Sequence, residues 1–169
     1  MAVQFFQTSS EFFKQNCPKA VDTIYEKAYD VKSIFFDNGV THDSGIGSPD
    51  GYINSGLLEF YEIRNNKDTG KPYLRYRFGD KKGREVDELE SQYSVIQQDL
   101  AQHLREELAI HGATIFIIEN KSKKVLATKT YIQSHSRNDT NDRRCGSYSR
   151  FLFDVLNLTK RFPSFYDKK

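Results

Sequence analysis

The chain contains no Trp, one Met, two Cys and four Pro in 169 residues. Its apolar runs are short, Ile115 to Ile118 being among the longest, whereas a membrane helix needs roughly twenty apolar residues. A spanning helix is therefore excluded, and no membrane partner is expected. The start, Met-Ala-Val-Gln-Phe-Phe-Gln, has no basic leader followed by a sustained apolar stretch, so it does not resemble a secretory signal. The cytoplasm is the expected location. Cys17 and Cys145 are too few for a disulfide framework and lack metal-ligand spacing, which favours reduced thiols, with a single bridge as the alternative. Catalytic signatures are also absent. Gly45-Ile46-Gly47 is not followed by the further glycine and helix of a dinucleotide fingerprint, nor by the Gly-Lys-Ser/Thr of a phosphate loop. Neither a cofactor nor a metal is expected.

What is present has the size and composition of one globular domain spanning residues 1–169. Apolar residues make up 37% of the chain and aromatic residues 14%, while a mean hydropathy of -0.69 implies a strongly polar surface. Net charge is only +2 but unevenly placed. From Lys121 onward twelve basic residues face four acidic ones, so this third carries +8 and the remainder -6. Such an asymmetry steers a polyanion toward one end of a molecule. It is also compatible with a homo-oligomer interface.

The most regular stretch is Glu85 to Gly112. Val86, Leu89, Tyr93, Ile96, Leu100, Leu104 and Leu108 are spaced by threes and fours, the stripe of one helical face. Acidic residues crowd its start, Arg105 and His111 its end, and Gly112 stands where a cap belongs. The spacing predicts one helix of about 40 Å. Upstream, Ser9 or Ser10 can cap a short helix from Glu11 to about Asn16, and Pro18 can open a second one running toward Asn38-Gly39.

Two hairpins flank the long segment. Leu57 to Ile63 and Tyr73 to Phe78 are joined by the turn formers of Asn65 to Pro72. Leu74, Tyr76 and Phe78 should face the core, and Tyr73, Arg75 and Arg77 the other side. Thr114 to Ile118 and Val125 to Gln133 form the second hairpin, and Ser147 to about Lys160 a final amphipathic helix. The order α-α-β-β-α-β-β-α predicts an α+β fold with a four-stranded, mainly antiparallel sheet of two hairpins covered by one long helix. A mixed sheet, with the long helix as crossover, is the alternative.

Two polar stretches hold the chemistry-bearing side chains. Val40 to Ser55 carries His42 and Asp43, types suited to acid-base work. Ser134 to Gly146 carries His135 with Arg137, Arg143 and Arg144, which together suit an anion. Arg75, Arg77, Lys129 and Arg150 extend the basic set. Arg75 and Arg77 can stack bases and pair phosphates, or pair with Glu59 and Glu62 across the hairpin. The expected function is a non-enzymatic binding protein whose basic third contacts nucleic acid or an acidic protein surface. The alternatives are a small phosphodiester hydrolase using His42, Asp43 or His135, or an inhibitor or assembly protein acting by protein-protein contact.

Overall fold

Four consecutive buried residues, Ser33–Phe36, mark the centre of the molecule. A strand buried on all its residues must be covered on both faces and paired on both edges. In the computed structural model, which describes residues 8–37, 46–134, 143–146 and 150–167, this strand is β2 of a nine-stranded mixed sheet. The others are β1 (Asp22–Ile24), β3 (Phe60–Arg64), β4 (Tyr73–Arg77), β5 (Arg84–Val86), β6 (Tyr93–Asp99), β7 (Ile110–Glu119), β8 (Val125–Ser134) and β9 (Arg143–Cys145). Their order is β1-β8-β7-β6-β2-β3-β4-β5, with β9 beside β8. β2 runs parallel to both β3 and β6, and the remaining pairs are antiparallel. The helices are short: α1 (Ser9–Asn16), α2 (Pro49–Asn54), α3 (Gln102–Leu108) and α4 (Phe151–Leu156).

The expected four-stranded antiparallel sheet under a long helix is thus corrected. Glu85 to Gly112 folds as β5, β6, α3 and the start of β7. Its deepest residue is Val95, which is fully buried and lies off the three-and-four stripe. Tyr93 and Val95 alternate inward, and β6 pairs with β7 over seven residues, so cross-strand pairing overrides the local helical pattern. Gly112 is no cap. It lies within β7, where an added Cβ would stand 2.4 Å from the Tyr131 carbonyl oxygen. The left-handed residue closing α3 is Ala109. The second N-terminal helix is likewise replaced by a 3-10 turn, Cys17–Lys19, then β1 and β2.

Other elements follow their local chemistry. Thr8 caps α1 through a reciprocal capping box with Glu11, satisfying donors otherwise orphaned at a helix start. Pro49 opens α2 in its first turn. Both hairpins form, and Tyr76 and Phe78 pack on the core as their alternation predicts. One face of the sheet, with Ile34, Phe36, Tyr61, Val95, Ile115 and Ile117, is covered by α2 and α4. On the opposite face, α1 and α3 close a smaller cluster around Phe13, Ile110 and Ile132. Cys17 and Cys145 also meet there as a disulfide, Cα atoms 5.3 Å apart, correcting the reduced-thiol expectation. No helix among the described residues is long and apolar enough to cross a membrane.

Candidate functional site

After β2 the chain moves to β3, β4 and β5 on one side, then returns to β6 on the other and continues to β7 and β8. The order reverses between β2 and β6, and ligands of open sheets favour the crevice beyond the carboxyl ends of parallel strands at such a reversal. β2, β6 and β8 run in the same direction, so they end toward one edge of the sheet in a stagger, Phe36 level with Ala127, Asp99 level with Tyr131, and β8 running on to Ser134. β6 outruns β2 there: the Asp37 N–H still donates to the Val95 carbonyl at 3.0 Å, whereas β6 continues to Asp99.

Register sets a polar group on the α4-facing side of this edge. Gln97 stands opposite Ile115, Ile115 opposite Lys129, and Lys129 opposite Asp22. Farther out, His111, Gln133 and Arg144 form a second row. Gln97 donates through Nε2 to Asp99 Oδ1 at 2.7 Å. Lys129 is fully buried, its Nζ 5.6 Å from the Phe151 ring centre. Burial lowers its pKa, Asp22 opposes that shift and Arg144 adds to it. Such a cation is costly to hold in low dielectric without partners.

Two arginines of the C-terminal third belong to the face that holds Lys129, Arg144 on β9 and Arg150 directly before Phe151. Arg144 stacks on Tyr131 at 5.3 Å and Arg150 on Phe153 at 4.9 Å. Arg143, its neighbour on β9, pairs with Ser134 and so faces the opposite side of the sheet, where it reaches Ser10 Oγ at 3.3 Å. Two adjacent arginines on a three-residue strand therefore serve both faces of one corner. The exposed Arg143 and Arg150 frame it.

Arg75 and Arg77 lie elsewhere. β4 is five strand positions from β8, roughly 24 Å away, and both side chains point from the opposite face. Glu62 is fully buried and its Oε1 accepts from Arg75 Nε at 3.0 Å and Nη2 at 2.7 Å. Arg75 Nη1 also meets Glu90 at 2.9 Å. Although desolvation works against its charge, these carboxylates raise the Arg75 pKa. Glu62 further accepts from the Glu90 and Ser91 N–H groups and the Ser91 hydroxyl. Arg77 pairs with Glu59 at 3.3 Å, and both guanidinium groups stack on Phe60. The cross-hairpin pairing anticipated from sequence is what forms.

His42, Asp43, His135 and Arg137 lie outside the described residues. Among the described residues there is no group of three or more His, Cys, Asp or Glu suited to a metal. An open recess of about 450 Å³ exists at the other edge, around Glu90, Ser91, Glu119 and Asn120. Its Asn120 amide is spent on the Ser91 carbonyl and the Ser94 hydroxyl. Sequence reading singled out Lys129 but missed Asp22, Gln97 and His111, because a strand's own alternation carries no information on which strand lies beside it. No protein family, curated protein or solved structure matches this chain.

Proposed function

We propose that this is a non-enzymatic binding protein that takes nucleic acid at the corner formed by β8, β9 and the start of α4. The observation that carries the reading is the placement of Arg144 on β9 and Arg150 just before α4 on the face that holds buried Lys129, with Arg143 on the reverse face of the same short strand, within the third of the chain that carries the excess positive charge. Phosphate contacts by such cations release counterions, so affinity falls steeply with salt. Fluorescence anisotropy with a labelled RNA and a labelled DNA, titrated from low to physiological salt, tests it. Replacing Arg143, Arg144 and Arg150 together by Ala should flatten the log-log salt slope by about three. Undetectable binding at low salt, or an unchanged slope in that variant, sinks the reading.

The cytoplasm is the proposed place of action, against which the Cys17–Cys145 bond weighs, since such bonds persist in oxidising compartments. Thiol alkylation of protein taken from its own host decides between them. Homo-oligomerisation stays a proposal for light scattering to test.

A further inference from the structure

β1 and β9 both pair with the same side of β8, β1 along Ala127 to Lys129 and β9 along Ile132 to Ser134. Together they make one continuous flank of the molecule with two chemically different halves. The β9 half carries Arg143 and Arg144. The β1 half carries aromatic rings that the fold leaves in solvent: Tyr25 and Tyr29 are each 64% exposed, beside Val21 and Ile24. Among the described residues, the other large apolar side chains with such exposure are Phe165 and Tyr166. Arg161, just upstream of them, is ion-paired with Asp30, the residue after Tyr29, and the Ala28 N–H donates to the Val155 carbonyl at 2.8 Å.

Exposed apolar side chains scattered singly need no explanation, but a gathered set marks an interaction surface. Here its occupant is indicated by charge. Cations at one end and open ring faces at the other match a chain of phosphates that also offers unpaired bases. Stacking on aromatic rings is tolerant of sequence because every base has a π-face. In a duplex those faces are already stacked on one another, which leaves single strands as the species that can use both halves.

Resting on the nucleic-acid reading above, we propose that the outer flank of β8 is a binding path for single-stranded nucleic acid, with phosphates held at β9 and bases stacked on Tyr25 and Tyr29 beyond β1. From Ser134 to Ala127 the path covers eight residues of β8, about 23 Å, consistent with a site of several nucleotides.

Anisotropy with the full chain, short labelled oligo-dT and oligo-U strands, and a duplex of equal length provides the test. The single strands should bind more tightly than the duplex. Tyr25→Ala with Tyr29→Ala, both solvent-facing changes, should weaken single-strand binding on the order of tenfold or more while leaving the salt slope as it was. Arg143→Ala with Arg144→Ala should instead reduce that slope by about two. Equal affinity for duplex and single strand, or a tyrosine variant that binds like the parent while keeping its circular dichroism spectrum, overturns this path without touching the broader reading. Failure of every nucleic acid to bind at low salt overturns both.

Discussion

Arg75 and Arg77 on β4, and Arg143, Arg144 and Arg150 around β9 and α4, are alike as residues, yet the sheet surrounds them differently. On β4 each guanidinium has a carboxylate across the strand pair, Glu62 for Arg75 and Glu59 for Arg77, and Phe60 beneath both. At the other corner Arg144 lies over Tyr131, Arg150 over Phe153, and Arg143 reaches the Ser10 hydroxyl. What the register sets opposite a cation therefore decides the company it keeps. Basic residues counted along a sequence overstate a binding face wherever alternation on the neighbouring strand brings up acids.

Breaking the β4 side of this comparison should have the largest effect. Glu62→Ala removes the acceptor of a buried pair together with the acceptor for three groups of residues 90 and 91. It leaves Arg75, whose side chain is 11% exposed, to face the Glu90 carboxylate alone. The expected loss is about 3–5 kcal/mol by urea denaturation; a loss under about 1 kcal/mol would show that the clasp does not form. The β9 side is tested next. Reducing Cys17–Cys145, or replacing both by Ser, should cost about 2–4 kcal/mol and speed amide exchange at Arg143 to Cys145. Unchanged stability and exchange would mean the bridge is not what holds β9.

A smaller effect is expected from Lys129. Its folded pKa is lowered by burial, with Asp22 on β1 opposing and Arg144 on β9 adding to the shift, while Ile115 of β7 and Phe151 of α4 bring no charge. The unfolded chain, with an ordinary lysine near about 10.4, holds the proton more tightly than the folded one. Stability from this group must therefore rise as pH climbs from the lowered value toward that of the unfolded chain. Between neutral pH and about pH 10 the urea midpoint of the parent should therefore rise relative to that of Lys129→Met. A parent that loses ground contradicts it. Smallest of all, Arg77→Ala, which breaks a solvent-exposed pair, should change stability by about 0–1 kcal/mol and leave nucleic-acid affinity alone. A marked fall in affinity would move the binding face to β4.

Local chemistry was legible in Asn65 to Pro72, the turn of the first hairpin, and in the Tyr73 to Phe78 alternation that sets the faces of β4. A helix up to Asn16 was also legible, but its cap is Thr8 and not the expected Ser9 or Ser10. The errors came where partners distant in sequence decide. The stripe through Val86, Leu89, Tyr93 and Ile96 fits a helix, but it omits Val95, the residue that is fully buried. In the three-and-four spacing of Ala20, Val21, Ile24, Tyr25, Ala28 and Val31, only Ala20, Ala28 and Val31 are buried, while Val21, Ile24 and Tyr25 are exposed, so half of that pattern marked no buried face. Ser33–Phe36 offered a usable signal, a short run buried on both sides as parallel strands are, which the helical reading absorbed. Arg143, Arg144 and Arg150 were readable as a basic group, whereas the division of Arg143 and Arg144 between the two faces of the sheet depends on β8 pairing that no local pattern encodes.

The position of β2 also governs the order in which the chain can assemble. Its two neighbours are Phe60–Arg64 and Tyr93–Asp99, both made later in synthesis, and β1 waits longer still for β8. A nascent chain must therefore carry Ile34, Phe35 and Phe36 without any flank until β3 has been added, and with one open edge until the residues of β6 follow. Pairings of such sequence separation are slow to form and leave strand edges open to other chains meanwhile. The most protected strand of the finished protein is thus its most vulnerable one during biosynthesis, and yields on expression should respond to charge introduced beside it before they respond to changes at either rim of the sheet.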